Sequence, residues 1–109
     1  MPITYKVLGQ SNPTLNTLTT VYTVPALTST ILSTVTVCNQ SANTATFRLA
    51  VRPSGEAIAA KHYINYDTPV PGNDTVSLTL GITLAATDVL SANANTSTLS
   101  FNAFGSEIS

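Results

Sequence analysis

Apolar and polar side chains alternate along several short stretches of this chain, most clearly between residues 29 and 53. The apolar positions on one face are Ile31, Val35 and Val37, followed by Phe47, Leu49 and Val51. A period of two is typical of strands with one face on a core. Residues 39–43 between the two halves are rich in turn formers. The pattern predicts a central antiparallel hairpin with Arg48 and Arg52 on the outward face of its second strand.

Similar stretches occur along the rest of the chain, separated by Pro, Gly, Asn and Asp. They predict strands at residues 3–8, 18–24, about 60–66, 75–84, 88–94 and 98–104, with a bulge at Gly81. One helical turn before residue 60 stays open, residues 69–74 form a turn, and the last two strands form a closing pair. Strand spacing of this kind indicates an all-β fold, an antiparallel β-sandwich or jelly roll of about seven or eight short strands.

The N-terminal segment has two interpretations of equal weight. Residues 1–17 are either an arm that docks on a neighbouring subunit, or an edge strand of the same domain. The first interpretation leaves residues 18–109 as the β-sandwich domain. It also predicts that removing residues 1–12 leaves a folded domain without its binding activity.

Composition narrows the possible partners. Charged residues make up 8% of the 109 residues and the net charge is −1, so no dense basic patch for nucleic acid is expected. Weak self-repulsion favours association into a homo-oligomer or a larger assembly. The N-terminus lacks a signal-peptide pattern and no apolar run is long enough for a membrane span. Cys38 is the sole cysteine, which excludes an intrachain disulfide and suits synthesis in a reducing cytoplasm.

Catalytic chemistry has little support. His62 is the one histidine, and a surface or partner-facing strand position is expected for it. Asp67, Asp74 and Asp88 each adjoin a predicted turn, where bonds to the turn backbone are their usual role. We therefore predict no enzyme activity, no metal site and no cofactor.

Six residues are candidates for an interface with a partner: Tyr5, Lys6, Arg48, Arg52, Lys61 and Tyr63. The alternative for the basic ones is solvated charge on an open sheet face. A saccharide platform would need exposed aromatic residues on one face. Alternation places Tyr63 and Tyr66 on opposite faces, which makes such a platform thin.

Several segments together resemble small virion proteins of tailed bacteriophages, including cyanophages. The segments are TVYTVPA, STVTVCN, ATFRLAVRPSG, HYINYD, NDTVSLTLGITLAATDVL and LSFNAFGSEIS. The resemblance implies a structural component of the virion, made in the host cytoplasm and without catalysis. A capsid cement or decoration protein is expected first, as an oligomer, with a trimer as the suggested form, on the major capsid protein. The alternatives are a tail-fibre, baseplate or collar component that binds a glycan, or a non-viral carbohydrate module. No site residues are carried over.

Overall fold

The computed structural model describes residues 2–109 and folds them into antiparallel β-structure. The eight strands are β1 (Ile3–Ser11), β2 (Thr19–Thr23), β3 (Ser29–Asn39), β4 (Ala45–Arg52), β5 (Tyr63–Val70), β6 (Thr75–Leu84), β7 (Val89–Ala94) and β8 (Leu99–Ile108). Two short 3-10 turns, Pro53–Gly55 and Ala60–His62, lie between β4 and β5. The prediction of an all-β fold is confirmed.

The strands form two sheets of four that pack face to face. The first sheet has the order β1-β8-β3-β6, and the second has the order β2-β7-β4-β5. Strand β1 therefore pairs with β8, β2 with β7, β3 with β6 and β4 with β5, as if one long hairpin were wound into two layers. This is the eight-stranded jelly roll, one of the two architectures predicted.

The predicted hairpins at residues 29–53 and 88–104 are wrong. Strands β3 and β4 lie in opposite sheets, and so do β7 and β8. Buried Asn39 lies at the start of the β3–β4 connection, which crosses between the sheets, and it bonds to several loops there. Its side-chain amide donates to the backbone oxygens of Asn43, Val70 and Pro71 at 2.8–3.3 Å, and its oxygen accepts from the Ser41 amide.

The core lies between the inner faces of the sheets. Phe47 of β4 meets Phe101 of β8 edge to face, with ring centroids 5.8 Å apart. The predicted inward row of β4 is confirmed for Phe47 and Leu49, which are fully buried. Strand β3 departs from its predicted pattern, because its register shifts between Leu32 and Thr34. This shift places Ile31 on the outer face of the first sheet, 39% exposed.

The first seventeen residues contain an edge strand of the sandwich. Strand β1 pairs with β8 from Ile3 to Ser11, and its Leu8 belongs to the core. A Cβ at Gly9 would overlap the backbone carbonyl of Val21 in β2, so β1 packs closely on the second sheet as well. The separate-arm interpretation is corrected in favour of its alternative. Removing residues 1–12 would leave β8 unpaired on the side away from β3 and would take Leu8 out of the core.

Other boundaries also shift. Strand β5 begins at Tyr63, after the 3-10 turn, and continues through Pro69. Strand β8 extends to Ile108, beyond the predicted end at residue 104. Gly81 has a φ of 64° and lies where β6 shifts against β3, which agrees with the predicted bulge. Within residues 2–109, no helix has the length and apolar character needed to cross a bilayer.

Candidate interaction surfaces

A row of exposed apolar side chains lies on β1, at the free edge of the first sheet. Ile3, Tyr5 and Val7 alternate onto the outer face and are 53%, 82% and 48% exposed. Across the strands they continue into Ile31 and Phe104. These two residues and Tyr5 line a shallow groove of about 480 Å³, which Lys6, Ser33, Gly105 and Ser106 also border. Ile3, Tyr5, Val7, Ile31 and Phe104 are called the β1 surface below. None of these five side chains is charged, so they offer apolar contact area, and the nearest charge, Lys6 at the border of the groove, is paired with Glu107.

Lys6 points to the opposite face of β1, where it belongs to a polar chain. Its ammonium lies 3.1 Å from Glu107 Oε1, and Tyr22 donates its hydroxyl hydrogen to Glu107 Oε2 at 2.6 Å. Thr30 Oγ lies 2.7 Å from the Tyr22 oxygen and is left to donate to it. The chain links β1, β8, β2 and β3 at one end of the sandwich. Lys6, a predicted interface residue, is therefore used within the fold.

The pKa values of Glu107 and Tyr22 are shifted by the hydrogen bonds between these side chains and by burial. The bond from Tyr22 and the nearby ammonium of Lys6 hold the pKa of Glu107 below its usual range. Burial, with the bond to the Glu107 carboxylate, raises the pKa of Tyr22 to about 12. Both shifts favour the neutral tyrosine and the charged carboxylate seen in the hydrogen-bond pattern.

A second cluster lies on the outer face of the second sheet, formed by Arg48, Tyr63, Tyr66 and Asp67 and called the tyrosine cluster below. The Tyr63 and Tyr66 rings meet edge to face with centroids 5.1 Å apart, and the Arg48 guanidinium lies 3.9 Å from the Tyr66 centroid. The predicted placement of the two tyrosines on opposite faces is wrong. Strand β5 has one extra residue against β4 between Tyr63 and Asn65, so the alternation changes phase between the two rings.

Arg48 and Asp67 neutralise each other in the tyrosine cluster. Arg48 Nε donates to Asp67 Oδ1 at 2.8 Å and its Nη2 donates to Oδ2 at 3.3 Å. This two-bonded pair raises the pKa of Arg48 and lowers the pKa of Asp67. Beside the rings lies an open depression of about 540 Å³, lined by Ile58, Ala59, Ala60, Tyr63 and Tyr66. The cluster combines aromatic surface with hydrogen-bonding groups.

The other two basic candidates lie apart from both surfaces. Arg52 donates to Ser91 Oγ and to the backbone oxygens of Gly55 and Glu56, so it holds the loop after β4. Lys61 is exposed on the second 3-10 turn and makes no salt bridge with any residue from 2 to 109. Of the six predicted interface residues, Arg48 and Tyr63 lie in the tyrosine cluster, and Tyr5 and Lys6 both line the groove beside β1.

The residues considered for catalysis have structural partners. His62 is buried, against the prediction of a surface strand position. Its Nδ1 accepts from the Ala59 amide and its Nε2 lies 3.2 Å from Glu56 Oε1. Asp88 accepts from the amides of Ser54 and Ala85, which confirms the predicted turn role for that residue. No group of three or more His, Cys, Asp or Glu side chains suited to a metal occurs within residues 2–109.

Sequence reasoning selected Tyr5 but missed its apolar neighbours. Ile3 and Val7 share its parity, so the alternation already implied that these three residues share a face. Ile31 and Phe104 could not be added, because the strand order β1-β8-β3 and the β3 register shift bring them beside β1, and neither follows from the local pattern. Compared with protein-family models and with curated protein sequences, the chain matches none.

Proposed function

We propose that this chain is a non-enzymatic structural protein of a phage particle, a capsid cement protein that binds across joints between major capsid protein subunits. The observation that carries the proposal is the β1 surface, an apolar, uncharged face beside an open strand edge. The resemblance of the strand segments to phage virion proteins supports it. The jelly roll occurs in viral capsid proteins, but also in lectins and cupins, so the fold adds support by analogy only.

The mechanism would be stabilisation of the assembled shell by mass action. A protein that binds a surface present only in the assembled lattice shifts the equilibrium towards the assembled state. Apolar contacts at Ile3, Tyr5 and Val7 would supply the favourable term. A low density of charge limits repulsion between many copies on one shell.

The test is the copy number of the chain relative to the major capsid protein in purified particles, by quantitative mass spectrometry. A ratio near one, or a simple fraction of it, is expected for a cement protein. A ratio of a few per cent would place the chain on the tail or at a vertex, and absence from the particle would overturn the proposal.

A point substitution replaces truncation as the binding test, because removing residues 1–12 would take out part of the sandwich. Tyr5→Lys leaves all of β1 in the chain. When particles that lack this protein are supplied with the Tyr5→Lys variant, fewer copies should bind per particle than with the wild type. The control Lys61→Ala changes another exposed residue, outside the β1 surface, and should leave occupancy unchanged. Equal occupancy for both variants would exclude the β1 surface as the capsid contact.

One observation favours a second candidate, a tail-fibre, baseplate or collar component that binds a glycan. Tyr63 and Tyr66 share a face beside Arg48 and Asp67, and aromatic rings next to charged hydrogen-bonding groups are suited to saccharides. A glycan array separates the two candidates. Binding that is lost in Tyr66→Ala and kept in Tyr5→Ala would support the receptor role, whereas an array without signal would remove it.

A further inference from the structure

The hydrogen-bonding direction of β1 can be derived from one bond at its start. The Ser109 amide donates to the Pro2 carbonyl at 3.2 Å, so Pro2 and Ser109 form a hydrogen-bonded pair. In an antiparallel ladder such pairs alternate with non-hydrogen-bonded pairs. Thr4 and Lys6 therefore also bond to β8. The N–H and C=O groups of Ile3, Tyr5 and Val7 point away from β8, towards the open edge.

We propose that two copies of this chain pair through β1, antiparallel and centred on Tyr5. The two-fold axis would place Tyr5 opposite the same tyrosine of the second copy, and Ile3 opposite its Val7. All three outward-pointing residues then find partners, with about six backbone hydrogen bonds, two for each directly opposed pair. The first sheet of one copy then joins the first sheet of the other to form one continuous sheet. The apolar rows of both copies become neighbours on its outer face.

Charge selects this register among those that the bonding direction allows. In the register centred on Tyr5, each Lys6 faces Thr4 of the other copy. A shift of two residues that centres the pairing on Lys6 would set the two ammonium groups directly opposite, which is unfavourable in a sheet. Pairing centred on Thr4 would leave Val7 without a partner among residues 3–7. The pattern of β1 is thus self-complementary about Tyr5.

The other three sheet edges carry features that oppose strand addition. Strand β2 has five residues and a register shift. Strand β5 contains Pro69, which has no amide hydrogen to donate, and the left-handed Asp67. Strand β6 is interrupted at Gly81 and presents polar Thr75, Ser77 and Thr79 on its outer face. These are the usual protections of an edge. Between Ile3 and Val7, β1 has no proline and no register shift, and its one charge is paired with Glu107.

The size of the contact indicates a reversible dimer. A standard stable interface covers about 800 Å² on each partner, which is roughly one-seventh of the 5506 Å² surface of this chain. Three residues of one edge strand cover less than that. We therefore expect monomer–dimer exchange in solution and stronger association when many copies are held on one assembly. The two-fold contact does not rest on the proposed capsid role, and a trimer would require a different surface.

The test places charges of opposite sign at Tyr5, the residue that faces its own counterpart across the two-fold axis. Tyr5→Lys and Tyr5→Glu should each lower the association constant by about a hundredfold or more, because like charges meet at the axis. An equimolar mixture of the two variants should recover the dimer, as measured by sedimentation equilibrium from micromolar to millimolar chain. The control Thr79→Lys, on the opposite edge strand, should dimerise as the wild type does. Circular dichroism verifies that each variant is folded.

A cysteine experiment checks the register independently. With Cys38→Ser as background, Tyr5→Cys should give a covalent dimer on oxidation, since opposed Cα atoms of a hydrogen-bonded pair lie about 5.5 Å apart. Ile3→Cys should not link to itself, because its two copies would be separated by about 13 Å, but should link to Val7→Cys in a mixture. A wild-type chain that stays monomeric throughout, a charge mixture that does not recover the dimer, or linking of Ile3→Cys alone would each overturn the proposal.

Discussion

The β1 surface and the tyrosine cluster lie on the outer faces of different sheets. They differ in whether their hydrogen-bonding groups already have partners within the protein. In the tyrosine cluster, Arg48 is already bonded to Asp67 and rests on Tyr66. On the β1 surface, Tyr5 is 82% exposed and the backbone groups beside it point to an open edge. The charged groups of the tyrosine cluster are already paired within the protein. The outward backbone N–H and C=O groups of β1 and its exposed apolar side chains are still free to bind a partner.

The comparison also separates two kinds of polar contact. The Lys6–Glu107–Tyr22 chain lies at the end of the core, with the Glu107 side chain only 15% exposed. The Arg48–Asp67 pair is open to water, where ion pairs contribute little to stability. Substitutions near β1 should therefore affect folding more than substitutions in the tyrosine cluster. The following predictions are ordered by the size of that effect.

Gly9→Ala should have the largest effect, a loss of about 1–3 kcal/mol in the free energy of unfolding. The added methyl group would overlap the Val21 carbonyl and force β1 away from β2. Urea denaturation measures the change. Gly81→Ala is the matched control, because its methyl group would meet nothing within 4 Å and only its φ is unfavourable. A cost at Gly9 below that at Gly81 would show that β1 is not packed against β2.

Glu107→Gln should cost about 1–2 kcal/mol, because it weakens the bond from Tyr22 and removes the ion pair with Lys6. The pKa of Glu107 is lowered in the folded protein, so its stabilising contribution is present above the ordinary value of 4.5 and is lost as pH falls through the folded pKa. Wild type should therefore lose more stability in acid than Glu107→Gln does. Parallel acid profiles for the two proteins would contradict this role.

Tyr22→Phe should cost about 1 kcal/mol near neutral pH, through loss of its hydrogen bonds to Glu107 and Thr30. Its pKa is raised from 10.0 to about 12, so its contribution is complete below pH 10.0 and declines as pH rises towards about 12. Denaturant midpoints measured across this range should fall more steeply for wild type than for Tyr22→Phe. If the midpoints of both proteins fell equally with pH, the loss of stability in alkali would arise from a group other than Tyr22.

Arg48→Met should have the smallest effect on stability, since Arg48 and Asp67 are both open to solvent and screened by it. The near-ultraviolet circular dichroism of the tyrosines should nevertheless change, because the guanidinium no longer covers the Tyr66 ring. Arg48→Lys serves as the control that keeps the charge but loses the paired bonds. A loss of stability for Arg48→Met greater than for Glu107→Gln would reverse the comparison between the two surfaces.

Alternation predicted which residues face the core wherever a strand is regular, as in β4, but it could not predict strand partners. The turn at residues 39–43 has the composition of a hairpin turn, yet it crosses between the sheets, and its Asn39 binds the distant backbone oxygens of Val70 and Pro71. That choice depends on long-range contacts, which no local pattern contains.

The residues of the two candidate surfaces could be predicted only in part, because they too depend on contacts between strands that are distant in sequence. Tyr5 was identified, whereas the neighbourhood of Tyr63 and Tyr66 was missed because an extra residue in β5 changes the phase of the alternation. Lys6 and Arg52 were selected for their charge, but both are used inside the fold. Charge is visible in a sequence, and its internal neutralisation becomes visible only when distant strands are brought together.

Amide hydrogen exchange of β1, measured residue by residue by NMR at low and high protein concentration, tests the central claim most directly. The amides of Thr4 and Lys6 bond to β8 and should be protected at both concentrations. The amides of Ile3, Tyr5 and Val7 should exchange rapidly when the chain is dilute and slow markedly when it is concentrated. Rapid exchange of these three amides at every concentration would contradict the account, because the open edge of β1 would then have no second copy on it.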